Sequence, residues 1–326
     1  MQILGLFKRR SPIEQEPKTL EDARVELENF HLLQSDNTYQ LHQLIHEFLR
    51  NRQNNLATAD EQKSNFCTAI VEIAKKIPQR PTLSEINSLT PFIPHLAETA
   101  TVYQNWLSDE DLISPFQGLS RFYQGQGAYA QAIPWLEQCV LVTRERLGEE
   151  DLDVATSLNN LALLYCDQGR YDDAEPLGLQ ALELDKRLLG GDHPDVATSL
   201  NNLALLYCDQ GRYDEAEPLY LQALEIHKRR SIEEHPNVAH FLNNLAELYR
   251  LQGRYDEAEP FCLEALELKK RLLGEEDLDV ANSLNNLAVL YYSQERYDEA
   301  EPFYLQALEL TKRLLGEDHP DVATSL

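Results

Sequence analysis

The chain has 326 residues, 43% of them hydrophobic, enough material for more than one cored unit. Acidic residues outnumber basic ones 55 to 29 and the formal net charge is -26, so phosphate backbones and anionic headgroups are repelled; no nucleic acid and no membrane partner is expected. Five cysteines (Cys67, Cys139, Cys166, Cys208, Cys262) make no CxxC pair, and no run approaches the roughly 18 uninterrupted apolar residues of a spanning helix.

At the start, Ile3 to Phe7 is too short an apolar run for a signal peptide, and Lys8-Arg9-Arg10 follows it instead of leading. A cytoplasmic protein is the expectation. Leu20 to Phe30 has the spacing of an amphipathic helix. His31 to Gln40, mixed apolar and polar around Asp36-Asn37, predicts two short strands joined by an Asx-type turn, and Leu41 to Arg50 a second helix. His42 and His46 lie four apart with Glu47 beside them, but Arg50 stands where an HExxH zinc site needs its second histidine. Packing is their expected role, and no metal is predicted. The string HLLQSDNTYQLHQLIHEFLRNR resembles the end of the winged-helix domain of NB-ARC-type signal-transduction ATPases, and ILGLFKRRSPIEQE is similar to a damaged start of that domain. The resemblance implies a partial winged-helix segment over residues 1–52. No GxxxxGKS/T loop and no Gly-Lys pair occurs, so nothing is predicted to cradle a triphosphate and no cofactor is expected.

Residues 53–110 continue with helical pattern. Asp60 to Lys76 and Leu83 to Ala100 predict one more hairpin, with Pro78 and Pro81 between its arms, as a connector or divergent cap.

From residue 111 onward a unit of 42 residues repeats. Asn159-Asn160 returns at Asn201-Asn202, Asn243-Asn244 and Asn285-Asn286, and Pro176 returns at Pro218, Pro260 and Pro302. The segment Ala155 to Asp172 recurs unchanged at Ala197 to Asp214. A weaker unit precedes, with Phe116, Leu119, Tyr123, Gly127, Tyr129, Ala132 and Pro134 in matching places. Each unit predicts two helices. In the first, Leu158, Leu161, Ala162 and Tyr165 form one apolar stripe, which Gly169 ends by taking the left-handed cap conformation. Asp172 is the expected cap of the second helix and Pro176 is expected in its first turn; Ala174, Leu177, Ala181, Leu182 and Leu184 supply its buried side. Gly190 or Gly191 stops it, and the next helix starts at Asp192-His193-Pro194, with His193, His235 and His319 as recurring cap residues. A single hairpin cannot hide such a stripe, so neighbours are expected to stack into a solenoid.

The set Leu158, Leu161-Ala162, Tyr165, Gly169, Tyr171, Ala174 and Ala181 resembles the tetratricopeptide signature. The 42-residue period, with LNNLALLY, GRYDEAEPLYLQAL and GEDHPDVA, is similar to the longer repeat of kinesin light chains. Over residues 111–326 this implies an all-α, right-handed TPR superhelix of about five repeats and a truncated sixth. Two positions depart from the pattern: Glu295 replaces the loop glycine, and Gly178 stands where Tyr220 and Tyr304 stand elsewhere, which predicts less packing in that unit. Ala323 to Leu326 copies Ala155 to Leu158 and stops before the Asn pair, partway through a helix, which reads as a cut-off solenoid.

The architecture so implied lines a concave groove with the first helix of each pair. Carried over unit by unit, the candidate groove residues are Arg121; Asn159, Asn160 and Leu163; Asn201, Asn202 and Leu205; His240, Asn243, Asn244, Glu247 and Arg250; and Asn285, Asn286, Val289 and Tyr292. Asparagine offers both donor and acceptor, so a ladder of them suits the backbone of an extended peptide, although one Asn of each pair could instead brace the adjacent repeat. Arg121 and Arg250 are the only cations in this set, which disfavours an acidic ligand. No catalytic arrangement is predicted: Gly118-Leu119-Ser120 has Phe122 where a nucleophile elbow needs its second glycine. The expectation is a non-enzymatic scaffold that binds a protein or extended peptide in its groove. The runner-up is the truncated sensor portion of an NB-ARC-type ATPase that lacks its nucleotide-binding domain.

Overall fold

The structure is a computed structural model of the chain, and residues 33–35, 39–41, 59–79, 81–230 and 236–315 are described. The chain divides into two compact units, Met1–Phe66 and Cys67–Leu326. In the first, strands β1 (Leu33–Ser35) and β2 (Tyr39–Leu41) pair antiparallel, with Leu33 opposite Leu41 and Ser35 opposite Tyr39. This is the two-stranded element expected around Asp36-Asn37. The helices expected over 20–30 and 41–50, with His42 and His46, lie outside the described residues, so the winged-helix resemblance rests on the sequence.

The helical region opens with α1 (Ala59–Lys75), α2 (Leu83–Leu89) and α3 (Ile93–Thr101). Thr82 caps α2 in a reciprocal box with Glu85. Five hairpins follow: α4 (Ser114–Gly125) with α5 (Tyr129–Leu147), α6 (Leu152–Asp167) with α7 (Tyr171–Leu189), α8 (Pro194–Asp209) with α9 (Tyr213–Arg229), α10 (Pro236–Leu251) with α11 (Tyr255–Leu273), and α12 (Leu278–Ser293) with α13 (Tyr297–Leu315). The copied residues 323–326 and His319 lie outside the described residues, as does His235.

The stripe read from the sequence is the one buried. Leu158, Ala174 and Ala181 are fully inaccessible, and Leu161, Ala162 and Tyr165 nearly so; one continuous core runs from Ala132 to Leu310. Alanines at the crossing let the paired backbones approach while leucines and tyrosines fill the flanks. The helix starts differ in detail. His193 caps α8 by accepting from the Asp195 backbone N–H at 3.2 Å, and Asp151 caps α6 in the same way at 2.8 Å. Asp172, expected as a cap, instead lies inside the first turn of α7, because Arg170 holds the cap position without a side-chain bond. Its charge still favours the positive helix end. Pro176 sits one turn deeper than expected, inside the helix, where the missing N–H removes one rung of the ladder. Gly169 takes φ +67° to end α6, and Glu295 keeps the same left-handed conformation at φ +60°.

Successive first helices touch one another, α6 with α8, α8 with α10 and α10 with α12, and successive second helices do not approach as closely. The stack therefore bends with its first helices on the inside.

Candidate interaction groove

At its beginning the inner wall is covered. A β-carbon on Gly118 of α4 would come within 3.0 Å of the Ala74 side chain, and one on Gly125 would collide with Pro81. The Arg121 guanidinium donates to the Ile77 backbone carbonyl at 3.1 Å, and burial lowers its pKa. Arg121, expected in an open groove, is instead seated against the turn after α1: the end of α1 and Pro81 ahead of α2 occupy that part of the wall. The open wall starts at α6.

There the asparagine pairs divide their work. Asn159 Nδ2 donates to Ser199 Oγ at 2.5 Å, and Asn243 Nδ2 donates to Ser283 Oγ at 3.1 Å, each reaching into the next repeat. Position 241, where the corresponding serine would meet Asn201, is Phe241; Asn201 instead accepts from Asn244 Nδ2 at 3.0 Å. Asn201 and Asn243 are only 7% and 8% exposed. These side chains brace repeats and do not face an open groove. The other members are placed differently: Asn160 and Asn202 are half-buried, Asn286 is exposed, and none of the three hydrogen-bonds a described residue through its side chain. Asn285 is half-buried. Leu163, Leu205 and Val289 are half-buried.

Farther along, His240 is exposed, 3.9 Å from the Asp279 carboxylate, and Tyr292 is exposed with its ring edge-on to Tyr297. Glu247 and Arg250 pair with each other at 2.6 Å, so the second of the two groove cations is answered from within its own helix. Within their own residues α6, α8, α10 and α12 carry six carboxylates, Asp153, Asp167, Asp195, Asp209, Glu247 and Asp279, and one arginine or lysine, Arg250. The wall is acidic. Cys166 Sγ donates to Asp209 Oδ2 at 3.1 Å, and burial first, then this carboxylate, push the thiol pKa up. Burial also raises Cys208 to about 11 and Cys139 and Cys262 to about 12, which makes these thiols poor nucleophiles at neutral pH. Among the described residues no group of three His, Cys, Asp or Glu side chains could hold a metal ion, and no helix is long and apolar enough to cross a membrane.

A small gap opens in this wall. Between α6 and α8, over α7, lies a pocket lined by Asn159, Leu163, Cys166, Gly178, Asn202 and Leu206. Its floor is Gly178, where a β-carbon would meet only Leu203 Cδ1, at 3.5 Å. The thinner packing expected from Gly178 is thus present as a pocket.

Two further sets of residues were not singled out from the sequence. Arg170, Arg212, Arg254 and Arg296 each stack on a tyrosine of their own repeat, Arg212 for instance 4.1 Å above Tyr207. Arg212 also pairs with Glu175 of the preceding repeat at 2.7 Å, and Arg254 and Arg296 repeat this with Glu217 and Glu259. The signal was available in the recurring GRYDEAEP string. The second set is Thr143, Asp185, His227, Lys269 and Thr311, five buried polar residues at one position of the second helix. Asp185 accepts from Ser199 Oγ at 2.5 Å, and burial raises its pKa. Aligning the 42-residue units places this position on the buried stripe, but its changing identity hides it from a search for constant residues.

The family model for the tetratricopeptide repeat matches residues 111–187, 153–229, 237–312 and 279–326. No curated protein matches the chain. Among solved structures, BtubC (BKLC) from P. vanneervenii superposes with a TM-score of 0.55 at 25% identity, over 71% of this chain and 91% of that one. A Podosopora anserina protein with nearly identical TPR-like repeats of kinesin light chain type gives 0.51 at 26% identity, covering 64% and 98%. The quorum sensor NprR, solved in complex with its cognate peptide NprX, shares the fold at 17% identity, with a TM-score of 0.56 over 96% of this chain and 80% of that one. The matched blocks cover the stacked hairpins nearly throughout, and the chain belongs to the tetratricopeptide-repeat family.

Proposed function

We propose that the chain is a non-enzymatic scaffold that binds an extended segment of a partner protein, or a free peptide, along the wall formed by α6, α8, α10 and α12. The division of the asparagine pairs carries this reading. Asn159, Asn201, Asn243 and Asn244 are committed to the seams, whereas Asn160, Asn202 and Asn286 keep donor and acceptor free of described partners beside Leu163, Leu205 and Val289. Side-chain amides one repeat apart at Asn160 and Asn202, and two repeats on at Asn286, suit a main chain whose own amides recur along it. NprR, of the same fold, is solved with a peptide bound.

The test is a pair of triple and double variants screened against a displayed random-peptide library. Asn160, Asn202 and Asn286 changed together to alanine should abolish enrichment of the peptides selected by the native chain, with helicity and melting unchanged. Asn159 and Asn243 changed to alanine should lower stability by about 1 kcal/mol each through the lost seam bonds. Equal loss of fold and binding in the triple variant would refute the assignment.

A second reading draws on the β1–β2 pair: the chain as the sensor portion of an NB-ARC-type ATPase. It requires a P-loop domain encoded directly upstream of, or beside, this chain. A genomic neighbourhood without one removes it.

A further inference from the structure

The charge of the inner wall is unevenly spread along it. On α8 the residues Asp195, Thr198, Asn202, Leu205 and Asp209 follow one another at intervals of three and four, which sets them in one stripe; on α6 the same stripe reads Asp153, Thr156, Asn160, Leu163 and Asp167. Each asparagine lies seven residues, two helical turns, from the aspartate on either side, so a carboxylate stands about 10 Å away in both directions. Asp167, Asp195 and Asp209 are exposed and Asp153 is half-buried. Contacts between neighbouring first helices place both ends of the stripe on the wall: Asp209 accepts from the Cys166 thiol of α6 at 3.1 Å, and Asp279, the counterpart of Asp195, lies 3.9 Å from His240 of α10. Farther along, the pattern is lost. Asn237 and Leu251 end the stripe of α10, Ser293 replaces the second aspartate on α12, and Glu247 is answered by Arg250. Neither α6 nor α8 contains lysine or arginine, and the arginines in the loops after them are taken, Arg170 by Asp173 at 2.8 Å and Arg212 by Glu175 and Glu215 at 2.7 Å each. A guest chain in extended form turns successive side chains to opposite sides. With its backbone over Asn160 and Asn202, two adjacent basic residues point to opposite rows of carboxylates, and no cation of α6 or α8 competes with them.

We infer that the α6–α8 part of the wall is a subsite for a basic stretch of an extended peptide, with adjacent lysine or arginine side chains directed one toward Asp153 and Asp195 and the other toward Asp167 and Asp209. This rests on the groove-binding reading above and adds to it the chemistry of the ligand and its place along the wall.

The experiment uses the full chain and fluorescent synthetic nonapeptides in a Gly/Ser frame, with a lysine, glutamine or glutamate pair at the centre. Binding is read by anisotropy at physiological ionic strength. The lysine-pair peptide should bind at least about tenfold more tightly than the other two. Asp195→Asn combined with Asp209→Asn should remove about tenfold of that affinity, a few-fold from each pairing, while circular dichroism and melting are kept. A net charge of -26 attracts any basic peptide, so a control removes the same charge elsewhere. Glu183→Gln combined with Glu267→Gln, at exposed positions of the second helices α7 and α11, should change binding by no more than about twofold. Equal losses in the two double variants, or a native chain without preference for the lysine pair, overturn the basic subsite. Peptides selected from the displayed library that lack basic residues, yet are lost on changing Asn160, Asn202 and Asn286 to alanine, overturn it too and leave the groove reading standing. Lysine-pair binding that needs Asp195 and Asp209 but survives that triple change upholds the subsite and removes the asparagine ladder instead.

Discussion

Glu295 adopts a backbone conformation, φ +60°, that its four counterparts Gly127, Gly169, Gly211 and Gly253 adopt without a side-chain clash. For a residue with a β-carbon this costs about 1 kcal/mol. Glu295→Gly is therefore expected to raise stability by about that amount, measurable as a higher urea midpoint with unchanged slope. Lys269 is the other costly residue. It is 4% exposed, donates to the Asp279 backbone carbonyl at 3.4 Å, and has the Asp279 and Asp277 carboxylates as its charged neighbours. Burial outweighs those neighbours and holds its pKa below the ordinary 10.5. The sign follows from proton binding. Between the lowered value and 10.5 the unfolded chain binds the proton and the folded one does not, so this contribution to stability rises with pH. At neutral pH the burial cost is fully present. Lys269→Met should stabilise the fold by about 1–2 kcal/mol at pH 7, an advantage that shrinks as pH rises through that window. A constant difference across the window would show that the ammonium is not the source of the cost.

At the scale of the helices, most of the array was legible because its signals are local and repeated. The stripe Leu158, Leu161, Ala162, Tyr165 and the stop at Gly169 are decided by side chains within a few turns, and both appear as expected. What escaped was decided by distance. The cap of α7 fell on Arg170 and not Asp172 because the arginine is held by stacking on Tyr165, 4.0 Å away, across the loop. The sequence suggested that an asparagine of each pair could act as a brace without indicating which, since that depends on what stands 40 residues later, serine at 199 and 283 but Phe241 between them. Arg121 lost its place in the groove to the end of α1 and Pro81, whose docking no periodicity could reveal. Gly178 shows the opposite case, a single letter whose effect was readable in advance. Glycine inside a helix costs roughly 0.5–1 kcal/mol relative to alanine, and the added β-carbon meets ordinary contact at 3.5 Å from Leu203. Gly178→Ala should accordingly raise the melting temperature by a few degrees, checked by calorimetry on the full chain.

For the molecule as a whole, each hairpin is tied chiefly to its neighbours, by core contacts and by the Tyr–Arg–Glu clamps that recur between repeats, for example Arg254 with Tyr249 and Glu217. Stability in such an array is a sum of intrinsic and nearest-neighbour terms. The acidic sign of the inner wall emerges only at this scale, when the helices are lined up and Arg250 proves to be matched by Glu247.

The unchanged segments Ala155–Asp172 and Ala197–Asp214 have a consequence of their own. Two consecutive rungs with the same outward chemistry would let a guest chain settle equally well in either of two frames, one step apart, and neither would be preferred. Glycine under one rung and tyrosine under the next end that degeneracy: the ladder acquires an origin, and whatever lies along it can be read from a fixed starting point.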